Sequence, residues 1–139
     1  MELTAVALQT VAENQNVLFT DTAVSGCPSI VHRSGSGLVT LRGLTNQCRA
    51  RFKVSFGGNI AIPTGGTVEA ISLAISIDGE PLGSTLMIET PAAVEEFNNV
   101  FSAAFINVPA GCCATIGVKN TSTQAISIQN ANLIVERVA

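Results

Sequence analysis

One histidine, two short acidic clusters, a basic row and four cysteines are the side chains of this sequence best suited to chemistry, and their spacing limits what each can do. His32, the only histidine, is followed by Ser34 and Ser36. Imidazole titrates near neutrality and is the common general base for a hydroxyl nucleophile. A hydrolytic triad also needs an acid that orients the imidazole and a strand-to-helix elbow that presents the serine. Gly35-Ser36-Gly37 instead lies between two strand-like runs, so His32 reads as structural and no catalytic residue is assigned. The acidic clusters, Glu95-Glu96 and Asp78-Gly79-Glu80, lack the alternating oxygen ligands of a calcium loop and read as turns.

Cys27, Cys48, Cys112 and Cys113 allow three full pairings, and spacing does not choose among them. Cys112 and Cys113 are adjacent; in an extended strand they point to opposite faces and do not serve one metal ion together. Cys27 and Cys48 flank a hairpin and are read as reduced, buried and apolar in behaviour. No metal and no cofactor is expected.

The elements that carry these residues have a period of two. In the run from Arg49 to Phe56, Ala50, Phe52, Val54 and Phe56 share one face, and Arg49, Arg51 and Lys53 the other. Exposed aromatics do not alternate with this basic row, so stacking against single-stranded nucleic acid is not supported. Ile71, Leu73, Ile75 and Ile77 line one side of a second run, with Ala70, Ser72, Ala74 and Ser76 on the other. Turns fall at Gly35-Ser36-Gly37, at residues 63–66, at Asp78-Gly79-Glu80-Pro81, at Pro109-Ala110-Gly111 and at residues 120–123. Residues 3–11 and 17–20 read as further strands, for about eight to ten in all. Residues 90–97 read as one or two helical turns, with Thr90 as N-cap and Pro91 at the first helical position. Residues 131–138 form a last strand tied into a sheet.

Charged residues make up 12% of the chain and hydrophobic ones 47%, yet no apolar stretch is long enough to cross a bilayer. A soluble domain draws about a quarter of its residues from the charged types. Half that supply implies that part of the surface faces other copies of the chain. The formal net charge of −3 argues against a nucleic-acid partner, and Glu2 and Glu13 interrupt any secretory signal, so synthesis in a cytosol is expected. Residues 1–139 are read as one all-β domain, a sandwich or barrel.

The order of several segments resembles tumour-necrosis-factor-like and complement-globular-head-like jelly rolls. Val17-Leu18-Phe19-Thr20-Asp21-Thr22 leads into Ile30-Val31-His32 and then Gly35-Ser36-Gly37-Leu38-Val39-Thr40-Leu41. Val108-Pro109-Ala110-Gly111 precedes Ile116, Val118, Asn120 and Thr121, and Ala131-Asn132-Leu133-Ile134-Val135 closes the pattern. Members of this group occur among bacterial spore-surface and bacteriophage proteins.

The resemblance implies an antiparallel jelly-roll sandwich assembled as a homotrimer. Phe101, Ala103 and Phe105 on one strand, with Leu133 and Val135 on the last, are the expected axis contacts. Relatives with a collagen-like stalk carry Gly-X-Y repeats, and this sequence has none. The expected role is therefore a non-enzymatic phage capsid decoration or head-fibre protein, bound to a capsid or other virion protein, made in a bacterial cytoplasm and displayed on the virion surface. The alternative is a receptor- or glycan-binding tip using the loops of Ser34, Gly35, Ser36, Asp78 and Glu80. Neither nucleic acid nor membrane is an expected partner.

Overall fold

The computed structural model describes residues 1–43 and 49–139. Its strands are β1 (Glu2–Ala5), β2 (Gln9–Val11), β3 (Asp21–Val24), β4 (Ile30–His32), β5 (Val39–Arg42), β6 (Arg49–Ala61), β7 (Ile71–Ile77), β8 (Glu80–Pro81), β9 (Met87–Glu89), β10 (Asn98–Pro109), β11 (Cys113–Asn120) and β12 (Ile126–Arg137). The first sheet runs β10-β6-β12-β1-β3, with β2 also on β12. The second runs β4-β5-β11-β7-β8, with β9 also on β7. Every pairing in both sheets is antiparallel.

Alternation along the long strands builds the core. Ala50, Phe52, Val54 and Phe56 of β6 are wholly buried, as are Ile71, Leu73 and Ile75 of β7. They join one apolar cluster with Leu3, Leu41, Val118 and Leu133. The rings of Phe19 and Phe56 meet edge to face, with centroids 6.4 Å apart and planes at 74°, the arrangement that the aromatic quadrupole favours. The turn at Asp78-Gly79 has φ of 51° and 87°, the left-handed pair that a two-residue hairpin loop requires.

Three expected elements take another form. Residues 17–20 are extended but pair in no ladder; they cross between the sheets. Val17 N donates to Val118 O of the second sheet (2.9 Å), and Thr20 N to Thr4 O of the first (3.2 Å). Residues 3–11 split into β1 and β2, because Asn130, at φ 57°, breaks the register of β12 opposite them and takes Val6 O as its acceptor. Residues 90–97 form no helix. Residues 92–97 are exposed, so there is no apolar stripe for a helix to bury, and so short a helix is unstable without one. Glu95 adopts φ 59° and its N–H donates to Ile62 O. Among the described residues the helical piece is instead a 3-10 turn at Gly83–Thr85, and no helix is long and apolar enough to cross a membrane.

Asn120, fully buried at the end of β11, links the two sheets. Its Nδ2 donates to the carbonyls of Val11 (3.0 Å), Ala12 (3.3 Å) and Gln124 (3.0 Å), while its Oδ1 accepts from Ser122 N at 2.9 Å. Truncation would leave several buried groups without partners. Asn120→Ala is expected to lower unfolding free energy in urea by about 2–4 kcal/mol; a loss under about 0.5 kcal/mol, the size of an ordinary surface change, would contradict this role.

Candidate functional site

The polar side chains that suggested chemistry in the sequence are spent on holding loops. His32 Nε2 lies 2.9 Å from Ser36 O, the carbonyl accepting, and Nδ1 is buried without a partner. Ser34 Oγ donates to Thr20 O at 2.7 Å, and Ser36 Oγ accepts from Leu38 N at 3.0 Å, so neither hydroxyl is bonded to the imidazole. Asp78 Oδ1 accepts from Thr115 N at 2.9 Å, and Glu95 takes the Thr64 hydroxyl. Among the described residues no three His, Cys, Asp or Glu side chains gather as a metal site would require.

The loop residues proposed for partner contact do not form one surface. Ser34, Gly35 and Ser36 follow β4, at one edge of the second sheet, whereas Asp78 and Glu80 adjoin β8, at the other. All but the half-buried Ser36 are exposed.

Cys27 departs from the reading of a buried, apolar thiol. Cys27, Cys112 and Cys113 are free and exposed, while Cys48 lies outside the described residues. Backbone contacts bring Cys27, Cys112 and Cys113 to one end of the sandwich: Cys113 is opposite Arg42, Arg42 N donates to Ser29 O, Ile30 N to Cys27 O, and Gly43 N to Cys112 O.

The outer face of the first sheet is where unsatisfied apolar surface accumulates. On β10, Val100, Ile106 and Val108 point into the core, so Phe101, Ala103 and Phe105 point out. Phe101 and Phe105 are 66% and 64% exposed. Register places Phe101 opposite Gly57, Ala103 opposite Ser55 and Phe105 opposite Lys53. Small residues on β6 therefore leave the first ring standing above the sheet: a Cβ on Gly57 would lie 3.7 Å from Phe101 Cδ2, in ordinary contact. Beyond Ser55 comes Ile134 of β12, 40% exposed. A polar ladder borders the patch, with Asn99 Nδ2 donating to Asn59 Oδ1 (3.2 Å) and Asn59 Nδ2 to Asn130 Oδ1 (3.4 Å).

Leu133 and Val135 are corrected: they are 1% and 0% exposed within a single chain and belong to its core. On β12 the neighbouring Ile134 faces outward instead. Alternation in the sequence showed that Leu133 and Val135 share a face; which face is inside depends on the pairing of β12 with β6 and β1.

Strand β10 is also the edge of its sheet, and its twelve residues have an unpaired backbone side. A groove of about 550 Å³ runs beside it, lined by Ala103, Phe105 and Asn107 on one wall and by Ile77, Asp78 and Leu82 on the other. Ile88 of β9 and Leu86 beside it, 60% and 43% exposed, add apolar surface on the same side. Sequence reading did not single out either. A second apolar area lies on the opposite edge of the sheet, where Val6, Leu8, Leu18 and Val24 are between 49% and 63% exposed. Gln9 closes its floor by pairing its side-chain amide with both backbone groups of Leu18, at 2.9 and 3.0 Å.

No protein-family model matches the chain, and no curated protein matches it. Solved structures do. Murine APRIL aligns with a TM-score of 0.65 at 13% identity, over 97% of each chain. The globular domain of zebrafish complement 1qA aligns with a TM-score of 0.57 at 10% identity, over 96% of this chain and 93% of that one. At such identities the likeness concerns fold: the chain is a tumour-necrosis-factor-like, complement-globular-head-like jelly-roll sandwich.

The exposed thiols give a direct check on the end of the sandwich that holds them. A disulfide reagent added to the reduced, folded protein is expected to modify at least three cysteines per chain without denaturant. Modification of fewer than three until the protein unfolds would contradict the placement of Cys27, Cys112 and Cys113.

Proposed function

We propose that the chain is a non-catalytic assembly and binding module that works as a homotrimer, with the outer face of its first sheet turned toward the threefold axis. The observation that carries this reading is the aromatic edge strand. A long, apolar sheet edge with unpaired backbone is a template for uncontrolled association unless something covers it. Phe101 and Phe105 stand out from that strand, whereas a solitary subunit would place a charge or a proline there.

Closed cyclic symmetry supplies the cover. A threefold interface is heterologous, so the patch on one copy must land on a different patch of the next. The β10 side offers Phe101, Phe105, Leu86 and Ile88, and the opposite edge offers Val6, Leu8, Leu18 and Val24. The low charge content agrees with both surfaces being covered.

Within that reading, we take decoration of a phage capsid or head fibre as the specific role, with a capsid or other virion protein as partner and the virion surface as location. Its support is the sequence resemblance and the shortage of charge. A receptor- or glycan-binding tip remains the second role, but the geometry of the two candidate loops favours it less. They lie at opposite edges of the second sheet, and Ser34, Ser36 and Asp78 already use polar atoms internally.

Light scattering is expected to give about three times the 14.3 kDa chain mass at micromolar concentration. Phe101→Glu combined with Phe105→Glu is expected to yield folded single chains, because both side chains already face water in the subunit. A wild-type protein that stays folded at one chain mass would refute the trimer. Purified particles that contain no copy of this chain would refute the virion role alone.

A further inference from the structure

We propose that the assembled trimer binds a small multivalent oxyanion, of the inorganic phosphate or polyphosphate class, at its threefold axis through Arg51 and Arg49 of each copy. This rests on the trimer reading above.

Arg49, Arg51 and Lys53 alternate with the buried Ala50 and Phe52, so all three leave the outer face of the first sheet. Successive members are about 6.6–6.8 Å apart along the strand. Their neighbours in the ladder differ. Lys53 lies between Phe105 and Glu136, so an opposite charge faces it in register. Arg51 has Asn107 on one side, with Nε donating to Asn107 Oδ1 at 3.3 Å, a neutral acceptor. On its other side, backbone bonds bring it against Val138 and Ala139. Arg49 lies opposite Pro109. Two guanidinium groups per copy therefore share the aromatic face: Arg49 has no carboxylate beside it in the ladder, and Arg51 has only the α-carboxylate of Ala139, which also accepts from Arg137 Nε at 3.2 Å.

Cyclic assembly on that face sets the same row from three copies around one axis. Like charges brought together where water is partly excluded repel more strongly than in bulk water. Guanidinium presents a planar fork of donors that matches an oxyanion, and binding one removes the repulsion. The charge of the whole chain narrows the class of anion. With −3 per chain, a long polyanion would meet net repulsion away from the axis, whereas a small one stays within reach of the arginines.

The test is calorimetric titration of the full-length protein with sodium tripolyphosphate at constant ionic strength, with the assembly mass measured on the same sample. The expected result is one tripolyphosphate per three chains. Arg51→Gln abolishes the binding heat while the trimer persists, and Arg42→Gln, on the second sheet, leaves it unchanged. At tripolyphosphate about ten times its Kd, the wild-type trimer association constant rises about tenfold, and that of Arg51→Gln does not move. Trimers that take up no anion, or an Arg51→Gln trimer that binds as the wild type does, would overturn the axis site and leave the trimer standing. Single chains in the mass measurement would overturn both.

Discussion

A sandwich strand can give only one of its two faces to the core, and on β10 the face left over carries two phenylalanines at the open edge of a sheet. The rest of the molecule is arranged around that constraint. Val100, Ile106 and Val108 lock β10 against the second sheet, which forces Phe101, Ala103 and Phe105 outward. Pairing with β6 then puts Gly57 and Ser55 beside them, residues too small to cover a ring. The subunit does not shield this surface itself, since burial of Val100, Ile106 and Val108 fixes which face of β10 turns outward. In the proposed assembly shielding comes from a second chain, for which the exposed surface at the other edge of the same sheet offers a place to land.

The same geometry explains why no reaction is read from the chain. Its imidazole, hydroxyls and carboxylates are scattered over turns and bonded to nearby backbone: His32 to Ser36, Ser34 to Thr20, Asp78 to Thr115. These bonds fix the turns that let short strands reverse direction. Polarity along the strands adds a direction, because Arg42, Arg49, Arg51 and Cys113 gather at one end of the sandwich and Glu69, Glu89 and Glu95 at the other.

Much of the fold was legible because period-two alternation and turn chemistry are local. The face of β6 that holds Phe52 and Phe56, the run from Ile71 to Ile77 and the Asp78-Gly79 turn all follow from neighbouring residues. Features set by distant partners were not legible. Leu133 and Val135 show the same alternation as Phe101 and Phe105, yet the first pair is buried and the second exposed, a difference decided by strand pairing across the chain. Residues 17–20 look like a strand but serve as a bridge between sheets. The break between β1 and β2 depends on Asn130, more than a hundred residues away in sequence. On the outer face, the period of two showed that Phe101, Ala103 and Phe105 share one side of a strand and only the resemblance suggested an interface there, while Ile134, Leu86 and Ile88 needed the pairing of β12 with β6 and of β9 with β7.

Hydroxyl-radical footprinting of the native protein at micromolar concentration tests the covering of β10 most directly, because it reads side-chain access at each residue. Phe101 and Phe105 are the most exposed phenylalanines of the isolated subunit. The account requires both to be protected in the native sample, and to become reactive when Phe101→Glu or Phe105→Glu separates the chains and leaves the other ring in place. Rings labelled equally in the wild-type protein and in the separated variants would show that nothing covers this edge, and the assembly argued from it would fail.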